Sequence, residues 1–260
     1  MSKSQILTIS GAIVLFLLLY LCFDTTPPKL KSLEKSRILN IESTGLANLI
    51  KEAEVKMDAG QKSIIDAINL DLQKSIKDSV KRIEILKTLS GTWYDLGYTA
   101  IAGSYAEDIA VLQKSESAWS MAGTTYVICV KNSDDSKIKD FCAKRAVKAF
   151  ENAISINPES IDARINLAIC YVESPSQDNP MQGILMLREL NEKYPENVSV
   201  LNQLGRLALQ TNQTEKALER LEAAFRLDPD NKNTICLLAT AYSNAGNVSK
   251  ASEFNKKCVN

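Results

Sequence analysis

One block near the C-terminus constrains the fold of this 260-residue chain more than any other feature. Residues 198–231 carry two stripes of small and large apolar side chains at helical spacing, followed by a proline. The first stripe contains Leu201, Leu204, Gly205 and Ala208, and the second contains Ala217, Leu221 and Ala224, with Pro229 after it. Neighbouring segments repeat this order. The sequence therefore predicts a stack of helical hairpins, each burying its apolar face against the next.

The order of these residues resembles the tetratricopeptide repeat. The pattern of that family is a large residue, Leu-Gly, an aromatic, then Ala, a large apolar residue, Ala and Pro. The block departs from it at Ala208, which stands where the aromatic residue belongs. The resemblance implies an all-α fold, a right-handed superhelix of stacked helix-turn-helix hairpins. It also implies a surface that binds other proteins rather than a reaction centre.

Aligned markers extend the predicted repeat domain over residues 90–260, with units at about 90–115, 116–160, 161–197, 198–231 and 232–260. The first unit is short and carries Ala100 in place of the usual aromatic residue, so we interpret it as degenerate. The second unit has extra residues around Lys131–Asp140. We interpret this polar stretch as a tolerated, solvent-exposed loop, with a partner contact as the alternative.

A helical spacer or cap is predicted over residues 44–89, before the repeats. Asp58-Ala59-Gly60 is the expected break between its helices. A single buried stripe is expected further along, formed by Ile76, Val80, Ile83, Leu86 and Leu89. This segment either covers the end of the array or contacts a membrane partner.

An uncharged run over residues 4–23 predicts an N-terminal transmembrane signal anchor, residues 1–24, inserted in the lipid bilayer. A Pro/Lys-containing linker, residues 25–43, follows it. A cleaved signal peptide is the alternative. The resemblance to bacterial inner-membrane tetratricopeptide proteins implies a periplasmic repeat domain. Basic residues after the run favour the cytoplasmic side instead, namely Lys29, Lys31, Lys35 and Arg37.

Composition excludes several classes of function. The chain has no histidine, which removes the commonest general base and metal ligand. Its 31 basic residues balance 31 acidic ones, so no electrostatic footprint for nucleic acid stands out. No phosphate-binding glycine loop or nucleophile elbow is present. We expect no enzyme, catalytic residue, cofactor, metal, nucleic acid or small-molecule substrate. Of the six cysteines, Cys22 lies in the N-terminal apolar run and the other five are expected to be buried thiols, with a disulfide as the alternative.

A concave groove lined by the first helix of each hairpin is what the resemblance implies for binding. The residues at its positions are Ser120, Thr124, Asn166, Ile169, Asn202, Arg206, Thr240 and Asn244. Amides, hydroxyls and one guanidinium suit the backbone of an extended peptide. The alternative is that these side chains are only the solvated faces of helices. Ser120 and Thr124 replace the Lys/Asn pair of the subtype that clamps heat-shock C-termini, so no such clamp is expected.

These patterns together predict a single-pass membrane protein of the bacterial inner membrane. It would be an adaptor or scaffold that binds a protein or peptide through the groove and assists assembly of a membrane or periplasmic complex. One alternative is a cytosol-facing, N-anchored protein-import receptor. The other is a permanent structural subunit of a larger membrane complex.

Overall fold

The computed structural model describes Gln5 and residues 45–259, and within that range it contains twelve helices and no strand. The predicted all-α class is confirmed for this part of the chain. The chain divides into two compact units, residues 1–48 and 49–260, and the description below concerns the second. The helices are α1 Leu46–Lys56, α2 Ala59–Lys74, α3 Ser79–Asp95, α4 Thr99–Gln113, α5 Glu116–Asn132, α6 Ser136–Ile156, α7 Ile161–Glu173, α8 Gln182–Lys193, α9 Val198–Gln210, α10 Thr214–Leu227, α11 Lys232–Asn244 and α12 Val248–Val259.

Helices α3 to α12 pair in chain order into five hairpins, and the first helix of each hairpin has a side-chain cap. The first helix of every hairpin follows a side chain that accepts a hydrogen bond from the backbone N–H three residues later, and such a cap stabilises a helix by about 1 kcal/mol. These capping residues are Asp78, Ser115, Ser160, Asn197 and Asn231. Each hairpin packs on the next along the chain.

Glycines let the two helices of a hairpin approach closely. A Cβ atom built on Gly123 would lie 2.7 Å from Cζ of Phe150, and one on Gly205 would lie 2.7 Å from Leu221. Both distances are far below van der Waals contact, so a larger residue in these places would push the helices apart. Phe150 and Leu221 fill the space that each glycine leaves and are fully buried.

The first hairpin is complete rather than degenerate, which corrects the interpretation of residues 90–115. Its turn matches two later turns, since Gly97, Asn212 and Gly246 all have positive φ. Each following N–H donates to a carbonyl five residues back, in the pairs Tyr98–Trp93, Gln213–Ala208 and Asn247–Tyr242. Trp93 therefore takes the aromatic place of the repeat, and α3 starts at Ser79, inside the predicted spacer.

The stripe predicted before the repeats is also wrong in part. Ile76 and Val80 are 74% and 69% exposed, whereas Leu86 and Leu89 are buried. Ile76 lies in the turn between α2 and α3, so it is not on the helix that carries the other four residues, and Val80 lies in the exposed first turn of α3. A break between the helices is present at Met57 and Asp58, and Ala59 and Gly60 already belong to α2, which Asp58 caps in a reciprocal pair with Gln61.

The extra residues of the second hairpin extend its helices instead of forming a loop. Helix α5 has 17 residues and α6 has 21, with only residues 133–135 between them. Asp135 caps α6 by accepting from Lys137 N at 2.7 Å. The predicted solvent-exposed loop at 131–140 is therefore a helical extension.

Two disulfides correct the expectation of buried thiols. Cys129 is bonded to Cys142, and Cys236 to Cys258. Each bond joins the two antiparallel helices of one hairpin, which brings together cysteines 13 and 22 residues apart in the sequence. Cys170 is free and buried, as expected.

None of the helices that the structure describes is long and apolar enough to cross a bilayer. A spanning helix needs roughly 20 mainly apolar residues, whereas α6, at 21 residues, carries charged side chains along its length. The predicted single-pass membrane localisation is therefore contradicted. The anchor assigned to residues 1–24 and the linker assigned to residues 25–43 lie outside the described residues.

We expect Gly123→Ala to lower the free energy of unfolding by about 1–3 kcal/mol, because the new methyl group overlaps the buried Phe150 ring. Gly91→Ala in α3 is the matched control, since a Cβ there meets nothing within 4 Å. It should raise stability by about 0.5–1 kcal/mol through helix propensity. Urea denaturation measures both, and equal effects would refute the close approach.

We expect replacement of Cys129 and Cys142 by alanine to lower the free energy of unfolding by about 3 kcal/mol, since the lost bond closes a short loop. Replacing Cys236 and Cys258 by alanine should lower the free energy of unfolding slightly more, because the loop that this bond closes is longer. Urea denaturation under non-reducing conditions tests this. Unchanged stability in both variants, or free thiols at all four positions in the native protein, would contradict it.

Candidate peptide-binding groove

A cavity of about 330 Å³ lies where the first helices of four successive hairpins meet. Its lining comes mainly from α5, α7, α9 and α11, and these helices contact one another in that order. A cavity shared by the first helices of four successive hairpins lies on a face of the array that curves around it, so this face is concave. Its volume falls at the lower end of the range typical of ligand sites.

Four of the predicted groove residues line this cavity. They are Thr124 on α5, Asn166 and Ile169 on α7, and Arg206 on α9. Thr124 is exposed and the other three are half-buried. Their side chains offer a hydroxyl, an amide, an apolar surface and a guanidinium within one concavity, which is the mixture an extended peptide requires.

The remaining predicted residues do not join that cavity. Thr240 and Asn244 are exposed on α11. The hydroxyl of Ser120 donates to Glu116 at 2.9 Å, within α5.

The prediction that Asn202 lines the groove is wrong, because its side chain is only 2% exposed. Its amide oxygen accepts from Thr234 Oγ1 at 3.0 Å, and its nitrogen donates to Asn231 at 3.4 Å. Asn202 therefore links α9 to the capping residue of α11 and has no surface to offer a ligand.

Sequence reasoning missed several residues that line the same cavity, namely Val127, Ile128, Lys131, Gln203 and Asn233. Helical spacing was the signal that could have found three of them. Residues three, four and seven places after Thr124 lie on its face of α5, and these are Val127, Ile128 and Lys131.

Arg206 is already held by protein partners. Its NH1 donates to Glu173 at 3.1 Å and its Nε donates to Gln203 at 3.0 Å. The pair with Glu173 joins α7 to α9 and cancels one charge on the groove wall. Lys131 makes no ion pair within the described residues, so it is the cation that stays available to a ligand here.

A buried polar network supports the helix that forms one wall of the groove. The hydroxyl of Tyr126 donates to Glu107 at 3.0 Å, and Arg145 NH1 donates to the same oxygen at 2.7 Å. Ser104 lies 3.2 Å from the Tyr126 hydroxyl. Burial raises the pKa of Tyr126 well above its usual range, so the hydroxyl keeps its proton. The network ties α4, α5 and α6 together behind the site.

The described part of the chain has no cluster of the side chains that commonly hold a metal ion. No group of three or more His, Cys, Asp or Glu side chains there could hold an ion. Cys170 is the free cysteine among the described residues, and burial together with Glu173 raises its pKa to about 12. A thiol in that environment stays neutral and is a poor nucleophile.

Comparison with known proteins finds one family model and several solved structures that are similar to this chain. A family model described as tetratricopeptide repeat matches residues 208–257. A tetratricopeptide repeat protein from Parabacteroides merdae has a TM-score of 0.53 at 16% identity, over 88% of this chain and 93% of that chain. YrrB, described as a TPR protein with an unusual peptide-binding site, has a TM-score of 0.38 at 17% identity, over 75% and 92%.

MamA from Desulfovibrio magneticus has a TM-score of 0.44 at 16% identity, over 71% of this chain and 95% of that chain. No curated protein sequence matches this chain. The fold conclusion rests on the family match and on the Parabacteroides structure. The described helices therefore have the tetratricopeptide repeat fold, as the sequence resemblance implied.

We expect the free energy of unfolding to fall as the pH rises from 8 to 10. The Cys170 thiol ionises in the unfolded chain near its ordinary pKa but stays neutral in the native state. The contribution of this thiol to the free energy of unfolding is therefore complete below about pH 8.5. Above that pH the contribution falls, and about 2 kcal/mol is lost at pH 10. Urea denaturation across this range should show a shallower fall for Cys170→Ala. Equal slopes would contradict the burial of the thiol.

Proposed function

We propose that this chain is a non-enzymatic scaffold that binds an extended segment of another protein in the groove formed by α5, α7, α9 and α11. The cavity lined by four successive first helices carries this proposal. A peptide that lies across several hairpins can contact each of them in turn, which is how stacked repeats recognise extended ligands.

The chemistry of the lining supports an extended peptide as the ligand. The backbone of such a segment presents unpaired N–H and C=O groups, which need both donors and acceptors. Amide side chains supply both, and three of them line the cavity: Asn166, Gln203 and Asn233. Val127 and Ile169 add apolar surface for a side chain of the ligand.

The groove is also held in shape before a ligand arrives. The Arg206–Glu173 pair and the buried Asn202–Thr234 hydrogen bond fix successive first helices to one another. The Cys129–Cys142 disulfide fixes α5 against α6. A site that is rigid in the free state loses less conformational entropy on binding, which favours affinity.

A photo-crosslinking amino acid at Thr124 tests this function in cells that express the full chain. Thr124 is exposed in the groove, so we expect a discrete set of crosslinked proteins from that position. The matched control is Leu185 on α8, which is 52% exposed and does not line the groove cavity. Adducts from Leu185 but not from Thr124 would place the binding surface elsewhere, and no adducts from either would argue against a scaffold.

A further inference from the structure

The hairpin of α5 and α6 projects past its neighbour. Helix α5 has 17 residues, whereas α7, the next first helix, has 13. Four more residues add about 6 Å to a helix. The Cys129–Cys142 disulfide joins the two helices within this projection, three residues before the end of α5 and six residues after the start of α6. The array therefore has a fixed step between its second and third hairpins.

A second cavity of about 310 Å³ lies at that step. Its walls are the extended part of α5 and α6 on one side and the end of α7 on the other. Val130 and Ala143 contribute apolar surface that belongs to this cavity and not to the groove cavity. The two cavities adjoin, because both are lined by Val127, Lys131 and Ile169.

The charge around this step pocket is unbalanced. Lys131 on α5 and Lys139 on α6 both line it, both are exposed, and neither makes an ion pair with any described residue. The carboxylate in its lining is that of Glu173, which is already paired with Arg206 at 3.1 Å. A ligand in the step pocket therefore meets an apolar interior beside two uncompensated ammonium groups.

We infer that the step pocket accepts an apolar side chain flanked by carboxylates, on the same protein segment that lies in the groove. This rests on the proposed function, since it specifies the kind of segment that the groove would bind. The apolar side chain is buried among Val127, Val130 and Ile169. Acidic residues on either side of it pair with Lys131 and Lys139, and basic segments are repelled.

The test is a selection of displayed random peptides on the full oxidised chain, followed by fluorescence anisotropy of the enriched peptides. We expect enrichment of peptides with a large apolar residue beside Asp or Glu. Lys131→Glu with Lys139→Glu should weaken their binding by roughly tenfold or more, since two attractions become repulsions. Binding should also weaken as salt rises.

The matched control is Lys137→Glu with Lys148→Glu, which changes the net charge equally and lies on α6, the helix that carries Lys139. Both lysines are exposed and line neither cavity, so this variant should bind as the parent does. Circular dichroism of each variant checks that the fold is kept. The Lys131/Lys139 variant should in turn select peptides without the acidic preference.

The outcomes separate the two claims. The inference about the step pocket is wrong if the enriched peptides lack acidic residues, or if they bind the Lys131/Lys139 variant and its control equally well. Either result is still compatible with peptide binding in the groove. If the control and the Lys131/Lys139 variant lose the same affinity for acidic peptides, the binding is a general attraction between charges, and the inference about the step pocket is again wrong. No enrichment at all overturns the proposed function and this inference together.

Discussion

The close approach of two antiparallel helices within each hairpin is the constraint on which the rest of the array depends. Gly123 against Phe150 and Gly205 against Leu221 leave no room for even one methyl group. This contact sets the thickness of a hairpin, and hairpins of similar thickness can stack so that their first helices lie side by side. The groove exists because α5, α7, α9 and α11 contact one another in order.

The sequence predicts this architecture because helix packing determines the size of the residue at each position of the repeat pattern. Glycine or alanine is needed where two helices touch, and such residues recur in hairpins whose first helices begin at Glu116, Ile161, Val198 and Lys232. The first hairpin was misread for the same reason. The bounds 90–115 suggest a short unit because Leu96-Gly97 looks like the Leu-Gly pair of a first helix, but Gly97 is the turn residue with positive φ.

Other features depend on three-dimensional neighbours that a linear pattern does not contain. The pairing of Cys129 with Cys142 follows from helices that run antiparallel, and their 13-residue separation matches no cysteine motif. Asn202 has the helical position of a groove residue, yet Thr234 and Asn231 of the next hairpin bury it. The step pocket arises from a difference in length between α5 and α7, and a polar run at 131–140 is equally typical of a loop.

The concave face combines amide groups, apolar surface and the unpaired Lys131, and the Tyr126–Glu107–Arg145 network supports it from behind. Backbone amide chemical shifts of the isotope-labelled chain, recorded as an enriched peptide is added, test the role of this face most directly. We expect the shifts to change at Thr124, Asn166 and Ile169 and along the facing surfaces of α9 and α11. Changes confined to the second helices, α8 and α10, would show that the array binds its partners through the opposite face.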